Sequence, residues 1–215
     1  EAFLYGEYPQ CLVADYGSLL SQVFLPGDSD IIKVQTDFLG VNYYSDGFIG
    51  KARPQDQPMN IHSPYPYNRT ANMEMPDHMF IGRTDFGWPI TPWGLGDLMM
   101  RINRDWPEIQ SIFVTENGCA YSDGPDENGE VNDHGRVDYL VKHIESLQRS
   151  IREGAPVHGY FAWSLLDNYE WAEGYDKRFG IVHVDFETQK RTPKLSYHTY
   201  KQIISGEYDW NTMGA

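Results

Sequence analysis

Three short runs of apolar and aromatic residues along the chain each end in polar side chains. Residues 37–44 read Asp-Phe-Leu-Gly-Val-Asn-Tyr-Tyr, residues 112–114 read Ile-Phe-Val before Thr-Glu-Asn-Gly, and residues 157–163 lead into Ser-Leu-Leu-Asp-Asn. Runs of this length and composition are typical of buried β-strands. The pattern therefore predicts three buried strands with polar groups at their carboxyl ends.

Helical patterns separate the predicted strands. Residues 94–102 predict a helix before the second strand, and apolar residues at helical spacing predict another that has Asp133 as its N-cap and ends at Gly154. Thr192, as a cap, and Pro193, at the first helical position, predict the start of a last helix. This alternation of strands and helices indicates an α/β fold.

Two further stretches lie outside this alternation. The first 25 residues predict short helices, followed by a loop at 27–30. Residues from about 50 to 92 form a long excursion with seven prolines, and long loops on a compact domain are usually functional or disordered. The many aromatic residues in this excursion favour an ordered, packed loop.

The carboxyl ends of the strands are the expected place for a functional site. In parallel α/β proteins, and in the (β/α)8 barrel above all, that end of the sheet carries the active site. We therefore expect Tyr44, Glu116 and Trp163 to lie close together at the carboxyl ends of the strands. A carboxylate at the end of a buried strand is costly to desolvate, so Glu116 either has a functional role or simply faces water.

Composition excludes several classes of protein. The chain of 215 residues is 40% hydrophobic and 14% aromatic, and its formal charge is −14, from 31 acidic and 17 basic residues. A disordered chain is therefore excluded, and neither nucleic acid nor an anionic membrane surface is an expected partner. No apolar run reaches the 18 residues that a membrane span requires.

Cysteine and histidine spacing gives no indication of a metal or another cofactor. Cys11 and Cys119 are far apart, and none of the seven histidines pairs with an acid at ligand spacing. We expect both cysteines to be reduced thiols, no cofactor, and a cytoplasmic location, since no signal peptide stands at the start of the sequence.

The segment from residue 163 to residue 179 has the composition of a sugar site. It reads Trp-Ser-Leu-Leu-Asp-Asn-Tyr-Glu-Trp-Ala-Glu-Gly-Tyr-Asp-Lys-Arg-Phe. Indole faces pack against the C–H bonds of a pyranose, and Glu and Asn side chains bond to its hydroxyls. Core aromatics beside a solvated charge run are the alternative interpretation, which the absence of a helical or strand period at Glu170 and Trp171 disfavours.

These residues closely resemble the C-terminal part of the family 1 glycoside hydrolases, the β-glucosidase family. The resemblance covers nearly the whole chain and rests on the segments at 37–44, 85–88 (Asp-Phe-Gly-Trp), 114–118 (Val-Thr-Glu-Asn-Gly), 159–171 (Gly-Tyr-Phe-Ala-Trp-Ser-Leu-Leu-Asp-Asn-Tyr-Glu-Trp), 178–185 (Arg-Phe-Gly-Ile-Val-His-Val-Asp) and 191–194 (Arg-Thr-Pro-Lys). It implies a (β/α)8 barrel of which residues 1–215 supply the C-terminal portion, about strands six to eight with their helices and loops.

The resemblance implies a catalytic role for Glu116 and its neighbours. Glu116 matches the nucleophile that forms a covalent glycosyl-enzyme, and Tyr44 matches the tyrosine that hydrogen-bonds to it. Asn42 matches a site asparagine, whereas Asn117 is expected to support the turn. Retaining hydrolysis also needs a protonated acid about 5–5.5 Å from the nucleophile.

The resemblance also implies the contacts to the sugar. Trp163 matches the platform beneath the glycone ring, Glu170 the carboxylate that takes two glycone hydroxyls, and Trp171 the indole that donates to a third. Phe179 would line the pocket wall. Relatives that take 6-phosphorylated sugars have a smaller residue at the position of Glu170, so an unphosphorylated β-glucoside or oligosaccharide is the expected substrate.

The chain departs from the family in one respect that bears on activity. Members are roughly twice as long, and the acid/base Glu of their Asn-Glu-Pro motif has no counterpart here. Three strands cannot close a barrel, and their edges would expose unpaired backbone groups. We therefore expect a partner, either an N-terminal part of the barrel or a second chain, and self-association into a homo-oligomer is possible. Two hypotheses follow: a retaining β-glycosidase completed by that partner, or an incomplete barrel that acts as a sugar-binding or scaffold protein.

Overall fold

The computed structural model describes residues 2–51, 70–73 and 75–212. These residues belong to two compact units, 1–39 and 40–215. Residues 52–69 and 74 of the proline-rich excursion, which was predicted to be an ordered loop, lie outside the described residues.

The first unit is helical. It contains α1 (Ala2–Tyr5), α2 (Gln10–Val23) and α3 (Asp28–Ile32), so the prediction of short helices in the first 25 residues agrees with the structure. The loop predicted at 27–30 is wrong from Asp28 onwards. There the amide of Lys33 donates to the carbonyl of Ser29 at 3.0 Å and closes a single helical turn.

The remaining elements lie in the second unit, except that β1 begins at Leu39, the last residue of the first unit. They are β1 (Leu39–Asn42), β2 (Phe48–Lys51), β3 (Thr70–Met73), α4 (Pro92–Asp105), β4 (Ile112–Asn117), α5 (His134–Arg152), β5 (Val157–Ala162), β6 (Val182–Val184), β7 (Arg191–Pro193) and α6 (Leu195–Ser205). Three short 3₁₀ segments, at Asp77–Met79, Trp171–Glu173 and Trp210–Thr212, complete the description.

The three predicted strands form one sheet in the order β1-β4-β5. Strands β4 and β5 run parallel, with Ile112 opposite Val157 and Asn117 opposite Ala162. The amide of Tyr43, just beyond β1, donates to the carbonyl of Glu116 at 2.9 Å. The carboxyl ends of β1 and β4 are therefore adjacent, which places all three strand ends at one edge of the sheet.

The helices bury their apolar faces beside this sheet. Ile112 and Val114 of β4 are fully buried, and Leu140 of α5 belongs to a core cluster with Cys119 and Ile181. The helix predicted at 94–102 falls inside α4, which begins with Pro92 in its first turn and has Trp106 as its C-cap.

The last helix begins later than predicted, because Thr192 and Pro193 belong to a strand. In β7 they pair antiparallel with His183 and Val182 of β6. Proline is tolerated at such an edge, where its missing N–H is not needed for pairing. Lys194 takes the N-cap position instead.

Asp133 occupies the N-cap position of α5 but does not cap that helix through its side chain. Its carboxylate instead accepts hydrogen bonds from the amide of Ser196 at 2.8 Å and from the Ser196 hydroxyl at 2.6 Å. It also pairs with the buried Arg136. Asp133, predicted as the N-cap of α5, therefore accepts hydrogen bonds from donors at the start of α6, 63 residues further along the chain.

A buried ion-pair network joins the loops around this region. Lys194, fully buried, donates to Asp123 at 2.5 Å and to Asp167 at 3.0 Å, and Asp167 also accepts from Arg178 at 2.8 Å. Burial lowers the pKa of Lys194 even though two carboxylates face it. The carboxylates therefore offset only part of the cost of desolvating the ammonium group.

No helix among the described residues is both long enough and apolar enough to cross a membrane.

Candidate active site

Glu116 and Tyr44 form a direct pair at the carboxyl ends of β4 and β1. The Tyr44 hydroxyl donates to Glu116 Oε2 at 2.6 Å. Burial, and then the neighbouring Glu116 carboxylate, raise the pKa of Tyr44 well above its usual range. The hydroxyl therefore stays protonated and remains a donor to the carboxylate.

A cavity of about 240 Å³ surrounds this pair. Its lining consists of Tyr44, Trp88, Glu116, Trp163, Glu170, Trp171 and Phe179. Six of the seven site residues expected from the sequence thus come together. Their roles in binding and catalysis stay predictions at this point.

Asn42, the seventh, lies outside this lining. Its side chain is exposed and its Oδ1 accepts a hydrogen bond from the Thr115 hydroxyl at 2.6 Å. Asn42 is the last residue of β1, two positions before Tyr44, so it lies close to the cavity along the chain.

Aromatic rings form the wall of the cavity beside Tyr44. The ring centroids of Tyr44 and Trp88 are 5.4 Å apart, those of Tyr44 and Phe179 are 6.1 Å apart, and Phe86 stacks on Trp88 at 4.4 Å. Phe179 is buried, whereas Trp171 is 81% exposed. The cavity is therefore closed by rings on one side and open to solvent beside Trp171.

Trp88 is the lining residue that sequence reasoning missed as a site residue. The segment Asp85–Trp88 stood out only through its resemblance to the family, because it lies within the long excursion and not at the end of a predicted strand. The amide of Thr84 donates to the carbonyl of Trp88 at 3.0 Å in a tight turn. That turn brings Trp88 back to the strand ends.

The loop from Trp163 to Phe179 places Glu170 at the cavity. The Trp163–Ser164 peptide is cis, the amide of Trp163 donates to the carbonyl of Asn117 at 2.8 Å, and the amide of Ser164 donates to the carbonyl of Phe179 at 3.1 Å. Burial, and then the charge of Glu116, raise the pKa of Glu170. The two carboxylates therefore interact electrostatically within one cavity.

Gly118 permits the close approach of β4 to the Trp163 end of β5. A Cβ atom at this position would overlap the carbonyl oxygen of Trp163. The Glu-Asn-Gly sequence at 116–118 can therefore pack against Trp163 only because its third residue, Gly118, has no side chain.

A larger cavity elsewhere lacks this chemistry. It encloses about 440 Å³ and includes Trp93, Lys142, Glu145, Arg149 and Arg152 in its lining. Its single described carboxylate, Glu145, has no tyrosine partner of the kind that Glu116 has. Volume alone therefore does not identify the functional site.

Within the described ranges, no group of three His, Cys, Asp or Glu side chains is arranged to hold a metal ion.

The fold and the site together define an α/β protein with a cavity at the carboxyl edge of its sheet that is lined by aromatic rings and two carboxylates. The particular family follows from comparison with known proteins. The chain belongs to glycosyl hydrolase family 1, whose family model matches residues 1–208.

The relatives of this chain include glycosidases and solved structures of β-glucosidases. A 1,4-beta-D-glucan glucohydrolase of Thermotoga neapolitana is 40% identical over 93% of this chain and 41% of that relative. A 6-phospho-beta-galactosidase of Staphylococcus haemolyticus is 42% identical over 80% of this chain and 38% of its own length. The psychrophilic beta-glucosidase of Micrococcus antarcticus superposes with a TM-score of 0.84 at 40% identity, over 96% of this chain and 45% of that structure.

These comparisons confirm the predicted fold class. The solved relatives, which include a family 1 β-glucosidase of Thermotoga maritima with a TM-score of 0.79 and 34% identity, are (β/α)8 barrels. The chain spans about two fifths of the length of these relatives. Its sheet β1-β4-β5 thus corresponds to part of a barrel, in agreement with the expected C-terminal part.

Proposed function

We propose that this chain carries the nucleophile of a retaining β-glycosidase of the β-glucosidase type. Glu116 attacks the anomeric carbon and the aglycone oxygen leaves, which gives a covalent glycosyl-enzyme that water then hydrolyses. The observation that carries this proposal is the 2.6 Å hydrogen bond from Tyr44 to Glu116 inside a cavity walled by tryptophan and phenylalanine rings.

The acid/base carboxylate of this reaction is proposed to come from outside residues 1–215. The chain contains no Asn-Glu-Pro sequence, and the second carboxylate in the cavity, Glu170, is assigned to the sugar. An N-terminal part of the barrel, or a second chain that completes the sheet, would supply the missing group. Homo-oligomer formation and a cytoplasmic location stay predictions.

The substrate is proposed to be an unphosphorylated β-D-glycoside. Trp163 would lie beneath the ring, Trp171 and Glu170 would bond to its hydroxyls, and Phe179 would close the wall. Asn42, which accepts a hydrogen bond from the Thr115 hydroxyl, is proposed as a further site residue next to the cavity. One relative is a 6-phospho-beta-galactosidase, but the negative charge of Glu170 in this cavity would repel a phosphate group.

The proposal is tested by the Glu116→Gln variant of the complete protein on an aryl β-glucoside. Removal of the nucleophile is expected to lower kcat by about 10⁴-fold or more. Glu127→Gln, which makes the same change on an exposed loop, is the matched control and should keep full activity. Unchanged turnover of Glu116→Gln would overturn the proposal, and sugar binding without turnover in the unaltered protein would favour the alternative of a sugar-binding or scaffold protein.

A further inference from the structure

A buried tyrosine of α5 contacts both strand ends that carry the Glu116–Tyr44 pair. Tyr139 is only 1% exposed. Its hydroxyl donates to the carbonyl of Tyr44 at 2.7 Å and accepts from the Nδ2 of Asn117 at 3.1 Å. Because Asn117 directly follows Glu116, one hydroxyl joins the two backbones that present the pair.

The side chain of Asn117 extends this connection to the rest of the sheet. Its Nδ2 also donates to the carbonyl of Tyr43 at 2.8 Å, and its Oδ1 accepts from the Tyr160 hydroxyl at 2.6 Å. Asn117 is fully buried. Every polar group of its amide is therefore engaged, and residues after β1, in β5 and in α5 all hold the position next to Glu116.

The ring of Tyr139 is itself held in place. It stacks on His143 with ring centroids 3.9 Å apart and planes inclined by 28°, and the Nδ1 of His143 lies 2.7 Å from the carbonyl of Tyr139. Burial raises the pKa of Tyr139 far above its usual range. The hydroxyl therefore remains protonated and donates to Tyr44 across the whole working range of pH.

A partly buried tyrosine offers a useful contrast. Tyr200 of α6 also donates its hydroxyl to a strand carbonyl, that of Tyr160 at 3.1 Å. That carbonyl lies within β5, away from the cavity lining. Both hydroxyls donate to a backbone carbonyl, but the acceptor of Tyr139 belongs to Tyr44, which lines the cavity, whereas the acceptor of Tyr200 belongs to Tyr160, which does not.

We infer that Tyr139 is a positioning residue for the Glu116–Tyr44 pair. It acts through the Tyr44 carbonyl and the Asn117 amide and does not touch the substrate; the inference rests on the proposed function. A displacement of a reacting group by about 1 Å lowers a rate by roughly 100-fold. Loss of the Tyr139 hydroxyl therefore slows the attack by Glu116 more than it weakens sugar binding.

The test measures that attack alone in the complete protein. A 2-deoxy-2-fluoro-β-glucosyl fluoride traps the glycosyl-enzyme, so its inactivation rate constant reports the nucleophilic step. For Tyr139→Phe this constant is expected to fall by roughly 10- to 100-fold, with the dissociation constant of the probe within about 2-fold of the wild-type value. Tyr200→Phe is the matched control and should be inactivated at the wild-type rate.

Equal inactivation rates for the Tyr139→Phe and Tyr200→Phe variants, with similar losses in thermal midpoint, would overturn the inference.

If Tyr139→Phe does not fold, Tyr160→Phe is the second variant, because it removes the hydrogen bond that the Tyr160 hydroxyl donates to Asn117 Oδ1. It too should slow inactivation, and a wild-type rate would overturn the inference. An unlabelled wild-type protein would overturn the proposed function and this inference with it, whereas a labelled wild type beside a full-rate Tyr139→Phe variant would overturn this inference alone.

Discussion

Glu116 and Tyr44 meet across 72 positions of sequence, and their contact is what makes the cavity chemically distinctive. Each residue could be singled out beforehand because each stands at the carboxyl end of a recognisable strand run. Trp88 could not be singled out in this way, and neither could the role of Tyr139. Their contacts depend on a turn and on the docking of α5, which no local pattern encodes.

We expect the Glu170 carboxylate to lower the stability of the folded protein, although it is proposed to contribute to sugar binding. Its pKa is raised by burial and by the charge of Glu116. The folded state therefore binds this proton more tightly than the unfolded state. As a result, the ionised Glu170 side chain lowers the free energy of unfolding at pH values above its ordinary pKa of about 4.5. The penalty is absent well below that pH, where Glu170 is protonated in both states.

The Glu170→Gln variant should accordingly raise the thermal midpoint of unfolding at pH 7, and this gain should disappear as the pH falls below 4. The gain should be small because Glu170 is only partly buried. Activity on an aryl β-glucoside should fall at the same time, since an acceptor for sugar hydroxyls is lost. Glu187→Gln, on an exposed loop, serves as control, and an equal pH-dependent gain in both variants would contradict the account.

At the scale of elements, periodicity predicted the strands and the long helices well, whereas the local sequence predicted the start of α6 and the cap of α5 poorly. The apolar stripe of α5 depends only on neighbouring residues. The start of α6 depends on the pairing of Thr192 with His183 and on the carboxylate of Asp133 reaching Ser196. Tertiary contacts determine both the start of α6 and the capping of α5. A capping rule applied to the local sequence could therefore predict neither of them.

The ion-pair network around Lys194 should contribute strongly to stability. Lys194→Met would leave Asp123 and Asp167 without their shared buried ammonium group, and loss of one partner of a buried pair costs about 3–5 kcal/mol. Lys142→Met removes an exposed partner of Asp138 and should cost at most about 1 kcal/mol.

Urea unfolding of the complete protein, followed by tryptophan fluorescence, measures both changes. A Lys194→Met variant as stable as Lys142→Met would mean that the burial of Lys194 is not maintained in solution.

At the scale of the whole molecule, the sequence predicted the family and the class of fold because the motifs at the strand ends are specific. It could not predict which polypeptide completes the barrel. The chain spans about two fifths of its relatives, and among the described residues β1 and β5 are the outer strands of the sheet, whereas every strand of a closed barrel has two neighbours. The proposed reaction is accordingly a property of the completed barrel, with the nucleophile on this chain.

Covalent trapping tests this central claim most directly. The complete, active protein would be treated with a 2-deoxy-2-fluoro-β-glucoside that has a good leaving group, digested, and mapped by mass spectrometry. We expect one 2-fluoroglucosyl group per active site, esterified to Glu116. A label on any other residue, or steady turnover of the parent glucoside with no trapped ester, would contradict the account.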